Sequence, residues 1–427
     1  MNPRRVSPRA VCLATVFLSV AILAAPAAAE APPEYLRSWG SRGSGPGEFY
    51  HPSAVLVAPG GSVFVADLGN SRIQRFTPDG VFVSQWSVLD PSDPRFEYPR
   101  SLVMDAAGDL YSIDCGHGRV HRYAPNGTLQ AAWGDSGTAV GQLWELCGIA
   151  IGKDGNVYLA CSFNGIQEFT PDGTFIRQFN RLTPDGRAYQ PVHLAMDQAG
   201  NVYATDCLSN TDRVIVFTAD GDYLREWGSR GAGDGEFADA NGIAVDSLGN
   251  VYVTERDMWS MGTWPPVADN RVQKFTNSGV FLDQWGGNGT GPGEFNWPED
   301  VAPAPGGIVY VADVYNNRIQ AFGPPGVPVQ VPSTPMVTAL RSVDPNPAGS
   351  TVRVVYDLAR AGRVELSVLD ITGRRVRTLL DGAAGPGAGQ VSWDGCASDG
   401  RRVAAGIYFV RLAADGRQMS RRVALTR

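Results

Sequence analysis

A large aromatic residue returns at nearly constant spacing through most of the chain. Trp39, Trp86, Trp133, Trp227 and Trp285 hold equivalent places, with Phe179 standing in once, and successive spacings are 47, 47, 46, 48 and 58 residues. The first unit, Trp39–Gly80, reads WGSRGSGPGEFYHPSAVLVAPGGSVFVADLGNSRIQRFTPDG, and the last, Trp285–Gly326, reads WGGNGTGPGEFNWPEDVAPAPGGIVYVADVYNNRIQAFGPPG. Each unit holds four strand-like runs; in the first they are Ala54–Val57, Val63–Ala66, Arg72–Phe76 and Phe82–Trp86, separated by Gly60-Gly61 and Pro78-Asp79-Gly80 turns.

One four-stranded unit cannot bury both its faces, whereas a closed ring of them can. The expected fold is therefore all-β: a six-bladed β-propeller, with the repeated Trp as packing between blades. The phase of the repeat also predicts its closure. The chain enters on an outermost strand, Leu36–Trp39, which completes the last blade beside Arg318–Phe322 and removes two open edges.

These units resemble NHL repeats, through the pattern G-x-F-x-x-P-x-G-[IV]-A-V-D-x-x-G-N-[VI]-Y-V-[AT]-D-x-x-N-x-R-[IV]-Q-x-F. Gly235–Phe275 and Gly293–Phe322 carry the pattern best, and Thr174–Gly221 departs from it most, in its connecting loop. The resemblance implies a six-bladed propeller that binds protein or other ligands on one face.

The second strand of most units ends in an acid and the third begins with Arg: Asp67/Arg72, Asp114/Arg119, Asp206/Arg213, Glu255/Arg271 and Asp313/Arg318. Unit three has Cys161 and Gly165 there, so both partners vanish together. That coupling predicts a structural ion pair within each blade.

The first-strand starts should ring the channel on the face that also carries the loops between blades. They hold Ser53, Arg100, Cys147, Val192, Asn241 and Glu299, an uneven set of the kind a pocket has. Asn241, Glu299 and Asp300 are oxygen ligands that could take Ca²⁺ or Mg²⁺, as in lactonase-type propellers; otherwise no cofactor is expected. Some amidating lyases with NHL-like propellers hold zinc on channel histidines. Of His51, His117, His121 and His193, only His193 lies inside a first strand, so that ring of three is not evident. No G-x-S-x-G nucleophile motif is present. Cys147 and Cys161 lie at neighbouring strand ends of one blade, which makes a disulfide between them the expectation.

Aromatics crowd the same side. Unit five has 15 residues between Glu255 and Arg271, against four between Asp67 and Arg72, and this long loop includes Trp259 and Trp264. Trp144 and Trp297 sit on loops between blades. Trp side chains offer an apolar face with a polar edge to sugars or polypeptide.

Composition changes after the repeat. Residues 324–336 form a Pro-rich, semi-rigid linker. Beyond it, six alternating strand-like runs suggest an Ig-like β-sandwich over 337–427. DPNPAG, ITGR, WDG and GIYFVRL resemble the FlgD-type Ig-like module and the related C-terminal sorting domains of type IX secretion, which implies export machinery as a partner and sorting or surface attachment as a role. At the other end, Arg4, Arg5 and Arg9, an apolar run over Val11–Ala25 and Ala27-Ala28-Ala29 read as a signal peptide, 1–29, with the propeller over 30–323. No later run is long and apolar enough for a transmembrane segment. Residues 31–332 hold 34 acidic and 19 basic side chains, which speaks against nucleic-acid binding.

The sequence thus leads to an exported or outer-surface propeller of bacterial type that binds extracellular protein or glycan without catalysis. A metal-dependent lyase or lactonase-like hydrolase at the channel mouth is the alternative, and a structural envelope component is the second.

Overall fold

The computed structural model describes residues 31–88, 98–207, 211–256 and 270–325 and, from 339 on, all but 345, 347, 350, 359–361, 385–386, 415 and 427. The signal-peptide reading, most of the linker, Trp259 and Trp264 fall outside the described residues.

Six four-stranded antiparallel sheets occupy residues 34–323. Five are simple meanders, such as Pro52–Val57, Val63–Asp67, Arg72–Phe76 and Phe82–Ser87. The sixth runs Pro298–Ala304, Ile308–Asp313, Arg318–Gly323 and then Glu34–Trp39 from the start of the chain. Tyr35 pairs with Phe322 and Trp39 with Ile319, so the ring closes in the expected phase. First strands of successive sheets touch one another in order, and Pro52–Val57 touches Pro298–Ala304 to complete the circuit. This is a propeller.

Second strands are buried along their whole length, for instance Val63–Asp67 and Val202–Asp206, because neighbouring sheets cover both faces. Fourth strands form the outer rim and are half-exposed, as in Tyr223–Trp227. The repeated Trp does what its recurrence implied. Trp39, on the sixth sheet, lies 5.8 Å from the Tyr310 ring of its own sheet and 5.9 Å from Phe76 of the first. It also explains the turn glycine of the next unit: a Cβ on Gly80 would stand 2.5 Å from the Trp39 ring, and its φ of +81° already suits glycine. Gly127, Gly173 and Gly279 meet Trp86, Trp133 and Trp227 in the same way, and Gly221 meets Phe179.

The C-terminal region forms two sheets. One orders Ala339–Asp344, Val352–Leu358 and Gly387–Trp393; the other orders Arg375–Ala384, Gly362–Leu369, Gly406–Ala414 and Arg417–Leu425. Val354, Leu366, Val410, Leu412 and Trp393 share their core, as a sandwich requires. Ala339–Asp344 is a strand that the sequence reading did not include. Asn346, in the DPNPAG stretch, explains part of that motif: its amide bonds Arg422 O and Ala424 N, fastening this edge to the last strand.

Among the described residues, no helix is long and apolar enough to cross a membrane.

Candidate functional site

Two structural devices build the channel face. The first is the acid–Arg pair. Asp67 Oδ2 accepts from Arg72 Nε at 2.6 Å, while its Oδ1 accepts the backbone N–H of Tyr50 at 2.7 Å. Arg72 then donates to the carbonyls of Ser44, Gly45 and Glu48. One buried pair therefore clips the loop between blades onto the end of the second strand. Arg213–Asp206, Arg271–Glu255 and Arg318–Asp313 repeat it at 2.8, 2.8 and 2.7 Å.

In the second sheet Asp114 and Arg119 face each other in register, and His117 Nδ1, three residues on, also bonds the Asp114 carboxylate. In the third sheet, where Cys161 and Gly165 replace the pair, Asn164 Nδ2 takes over the loop carbonyls, donating to Ala139 O at 2.8 Å and Gln142 O at 2.9 Å.

The second device is a β-bulge at the start of every first strand. Pro52 pairs with Asp67 but Ala54 with Ala66, so Ser53 is the extra residue. The same slip falls at Arg100, Cys147 and Glu299, and within Val192–His193 and Asn241–Gly242. Bulges re-aim side chains, and these are the positions that the sequence placed around the channel. Short bonds tie neighbouring sheets together at three of these bulges. Ser53 Oγ donates to Pro99 O at 2.7 Å, Thr205 Oγ1 to Asn241 O at 2.7 Å, and Asn241 Nδ2 to Glu299 O at 2.8 Å.

Glu299 is the hub. Its Oε2 accepts from Arg256 Nη1 at 3.0 Å and Trp297 Nε1 at 2.9 Å, and its Oε1 accepts from Arg100 at 3.4 Å, reaching past the first sheet. Burial would raise the Glu299 carboxyl, but the Arg256 and Arg100 guanidiniums outweigh it and hold the group down at about 2. Arg256 also bonds Asp239 at 2.9 Å and lies 4.9 Å over the Trp297 ring. His193, buried beside Arg100 and Arg256, is pushed down to about 3, first by burial and then by Arg100, so it is neutral. Asp239 and Trp297, which lead into their first strands, hold φ of 65° and 66°, and His51 and Glu145 at the equivalent places hold 56° and 48°, so this left-handed turn, which costs a non-glycine residue about 1–3 kcal/mol, belongs to the repeated scaffold.

Two expectations need correction. Cys147 and Cys161 are free thiols. Cys161 pairs in register with Leu146 and points into the core with Leu159 and Phe169. Cys147, on the bulge, turns instead to Glu145 O and Ser162 Oγ. Nor do Asn241, Glu299 and Asp300 converge as a ligand set. Asp300 turns away to accept from the N–H groups of Val55 and Val301, both at 2.9 Å, and Glu299 is enclosed by guanidiniums, which repel a cation. Among the described residues, no group of three or more His, Cys, Asp or Glu side chains is placed to hold a metal ion.

Arg256, Asp239, Phe163 and Tyr315 are site residues that the sequence reading missed. A signal for Arg256 was available. It stands one place beyond the strand-two acid, where the other units have Leu68, Cys115, Ser162, Cys207 and Val314. That set is as uneven as the first-strand ring. Of the aromatics that the sequence placed on loops of this face, Trp144 is exposed, as are Tyr98, Phe163 and Tyr315, whereas Trp297 is half-buried against Glu299 and Arg256.

Comparison with known proteins agrees with this architecture. Residues 49–76 and 295–322 match the NHL repeat and residues 346–418 the FlgD Ig-like domain, so the chain carries NHL repeats in a propeller followed by an Ig-like domain. Among individual proteins, it is similar to NHL repeat-containing protein 3 of Homo sapiens, with 29% identity over 161 residues, 36% of this chain and 44% of the human protein. The chain thus spans about half the length of the curated relatives it matches, 44% and 49% for the human and mouse proteins. It is also similar to peptidylglycine alpha-amidating monooxygenase of Rattus norvegicus, 30% identical over 143 residues, 31% of this chain and 14% of that protein. A solved protein of unknown function from Bacteroides thetaiotaomicron shares the fold, with a TM-score of 0.53, 17% identity, and 67% of this chain and 74% of that chain covered.

Proposed function

We propose that this protein is an exported or surface-held binding module whose propeller takes an extracellular polypeptide or glycan on its channel face, and whose C-terminal domain serves sorting or attachment. The observation that carries the reading is the placing of the exposed rings. Four of the six exposed aromatic side chains among the described residues, Tyr98, Trp144, Phe163 and Tyr315, come from three different sheets yet belong to the loops of one face. Large aromatics exposed together on loops favour contact with a partner. The FlgD Ig-like match at 346–418 supports the role of the second domain.

The test is capture by the full chain on panels of bacterial surface glycans and exported polypeptides. Replacing Trp144→Ala together with Phe163→Ala should weaken capture about tenfold, the loss of one or two good aromatic contacts, with the melting temperature unchanged. Undiminished capture by the double variant overturns the reading.

A further inference from the structure

Among the described residues, three buried polar atoms at the channel mouth have no hydrogen-bond partner: Arg100 Nε, His193 Nε2 and Asn241 Oδ1. Buried polar groups are ordinarily paired, and an orphan at a pocket points to something that completes it. The three belong to one place. Arg100 and Asn241 both touch Glu299, one at its carboxylate and one at its backbone oxygen, and His193 feels the charges of Arg100, Glu299 and Arg256. Asn241 is fully buried and His193 is 3% exposed, so neither is a stray surface group.

Each orphan asks for a particular chemistry. Arg256 is held close by two carboxylates, Asp239 at 2.9 Å and Glu299 at 3.0 Å, and by the Trp297 ring. Arg100 is not: its one ion-pair contact is 3.4 Å long, and 23% of its side chain is exposed. A guanidinium with donors to spare and an open approach suits a carboxylate. Asn241 is oriented by its Nδ2 bond to Glu299 O, so the free atom is its oxygen, which only accepts. A ligand must therefore bring a donor as well as an acid. The neutral His193 ring completes either arrangement without adding charge.

Charge narrows the class further. Arg100 and Arg256 are already balanced by Glu299 and Asp239, and residues 31–332 hold 34 acids against 19 bases. A phosphate dianion or a run of acidic sugars would be repelled, whereas a single carboxylate with a neighbouring donor is tolerated.

We propose that the channel mouth binds a monocarboxylate whose adjacent carbon carries an N–H or O–H, with Arg100 gripping the acid and Asn241 accepting from the donor. This rests on the channel face being a ligand face and names the group that enters its centre. The chemistry has two sources, a free hydroxy acid or the end of a longer chain.

The experiment is calorimetric titration of the full chain with phenyllactate, with N-acetylphenylalanine and with the amides of both. At least one acid should bind, its amide should bind at least tenfold more weakly, and Arg100→Gln should lose at least tenfold for the acid while its melting temperature stays within a few degrees. Arg100→Lys, which keeps charge without the two-point fork, should fall between. Preference for phenyllactate supports a free hydroxy acid, and preference for N-acetylphenylalanine supports a chain end. Equal binding of acid and amide, an unaffected Arg100→Gln variant, or no binding of either acid overturns the proposal. The Trp144/Phe163 capture test separates that failure from failure of the binding face itself, because those rings are outside the mouth.

Discussion

Two sets of side chains encircle the propeller on the same face, and they follow opposite rules. The clip repeats its chemistry: an acid at the end of the second strand and an Arg at the start of the third recur, and where one is lost the other is lost with it, as at Cys161 and Gly165. The mouth repeats only its backbone. Every first strand carries a bulge, yet the bulges hold Ser53, Arg100, Cys147, His193, Asn241 and Glu299. Sameness among repeats marks what holds the ring together. Variety on a constant backbone marks where the ring meets something that lacks its symmetry.

If that contrast is right, the largest effect comes from breaking a clip. Arg213 is 1% exposed and Asp206 is fully buried. Arg213→Ala would take the cation from the buried Asp206 carboxylate, which keeps the Gln190 N–H and Thr211 Oγ1, a loss of about 3–5 kcal/mol for a buried pair cut on one side. Asn164→Ala, in the sheet that replaced the pair by neutral bonds, should cost only about 1–2 kcal/mol. Denaturant midpoints of the two variants measure the difference; equal losses would mean that the charged clip has no special weight.

Next comes the spacing of the mouth. A Cβ on Gly148 would lie 2.7 Å from His193 Cα and from Val192 O, both backbone atoms of the next sheet that cannot swing aside. Gly148→Ala should therefore cost about 1–3 kcal/mol by overpacking, and thermal melting will show it. A neutral result would mean that the inner strands are looser than their contacts indicate.

How much of this the sequence displayed follows from what repeats. Periodic features, namely the strands, the closure by residues 34–39 and the acid–Arg coupling, were legible because six copies of one environment select the same residues. The mouth was legible by position and not by contact. A bulge leaves no residue-type mark, so nothing told that Asp300 would turn toward Val55 while Glu299 faced Arg100. The same slip separated Cys147 from Cys161: neighbouring strand ends bring backbones together, but alternate residues point to opposite faces. His117 shows a third limit: it bonds the Asp114 carboxylate three residues back, a partner that the acid–Arg pattern did not announce.

The third effect depends on pH and lies where clip and mouth meet. Asp212 sits beside Arg213 and accepts the Asp239 N–H at 3.3 Å. Burial, then the Asp239 charge, pushes its carboxyl up to about 6, with Arg230 at 4.0 Å opposing. A carboxyl raised on folding contributes stability below its unfolded pKa near 3.8 and loses it as pH rises through about 6. Asp212→Asn should therefore stabilise the protein by about 1–2 kcal/mol at pH 8 relative to pH 4. Unfolding curves at the two pH values check it, and a gain that is the same at both would place the strain elsewhere.

The smallest effect is also the sharpest test of the contrast. Arg100 and Arg213 are both guanidiniums facing buried carboxylates, so counting ion pairs would rank their removal alike. Their partners differ. Without Arg213 at 2.8 Å, Asp206 keeps the neutral donors Gln190 N–H at 2.8 Å and Thr211 Oγ1 at 3.3 Å. Glu299 would keep Arg256 at 3.0 Å and Trp297 at 2.9 Å after Arg100 is gone. Arg100→Gln should then cost under about 1 kcal/mol, the worth of a long, part-exposed contact, against several for Arg213→Ala. Side-by-side urea titrations decide it. A large loss at Arg100 would make it part of the clip system, a residue kept for stability, and would remove the reason to regard its unmet donors as reserved for a ligand.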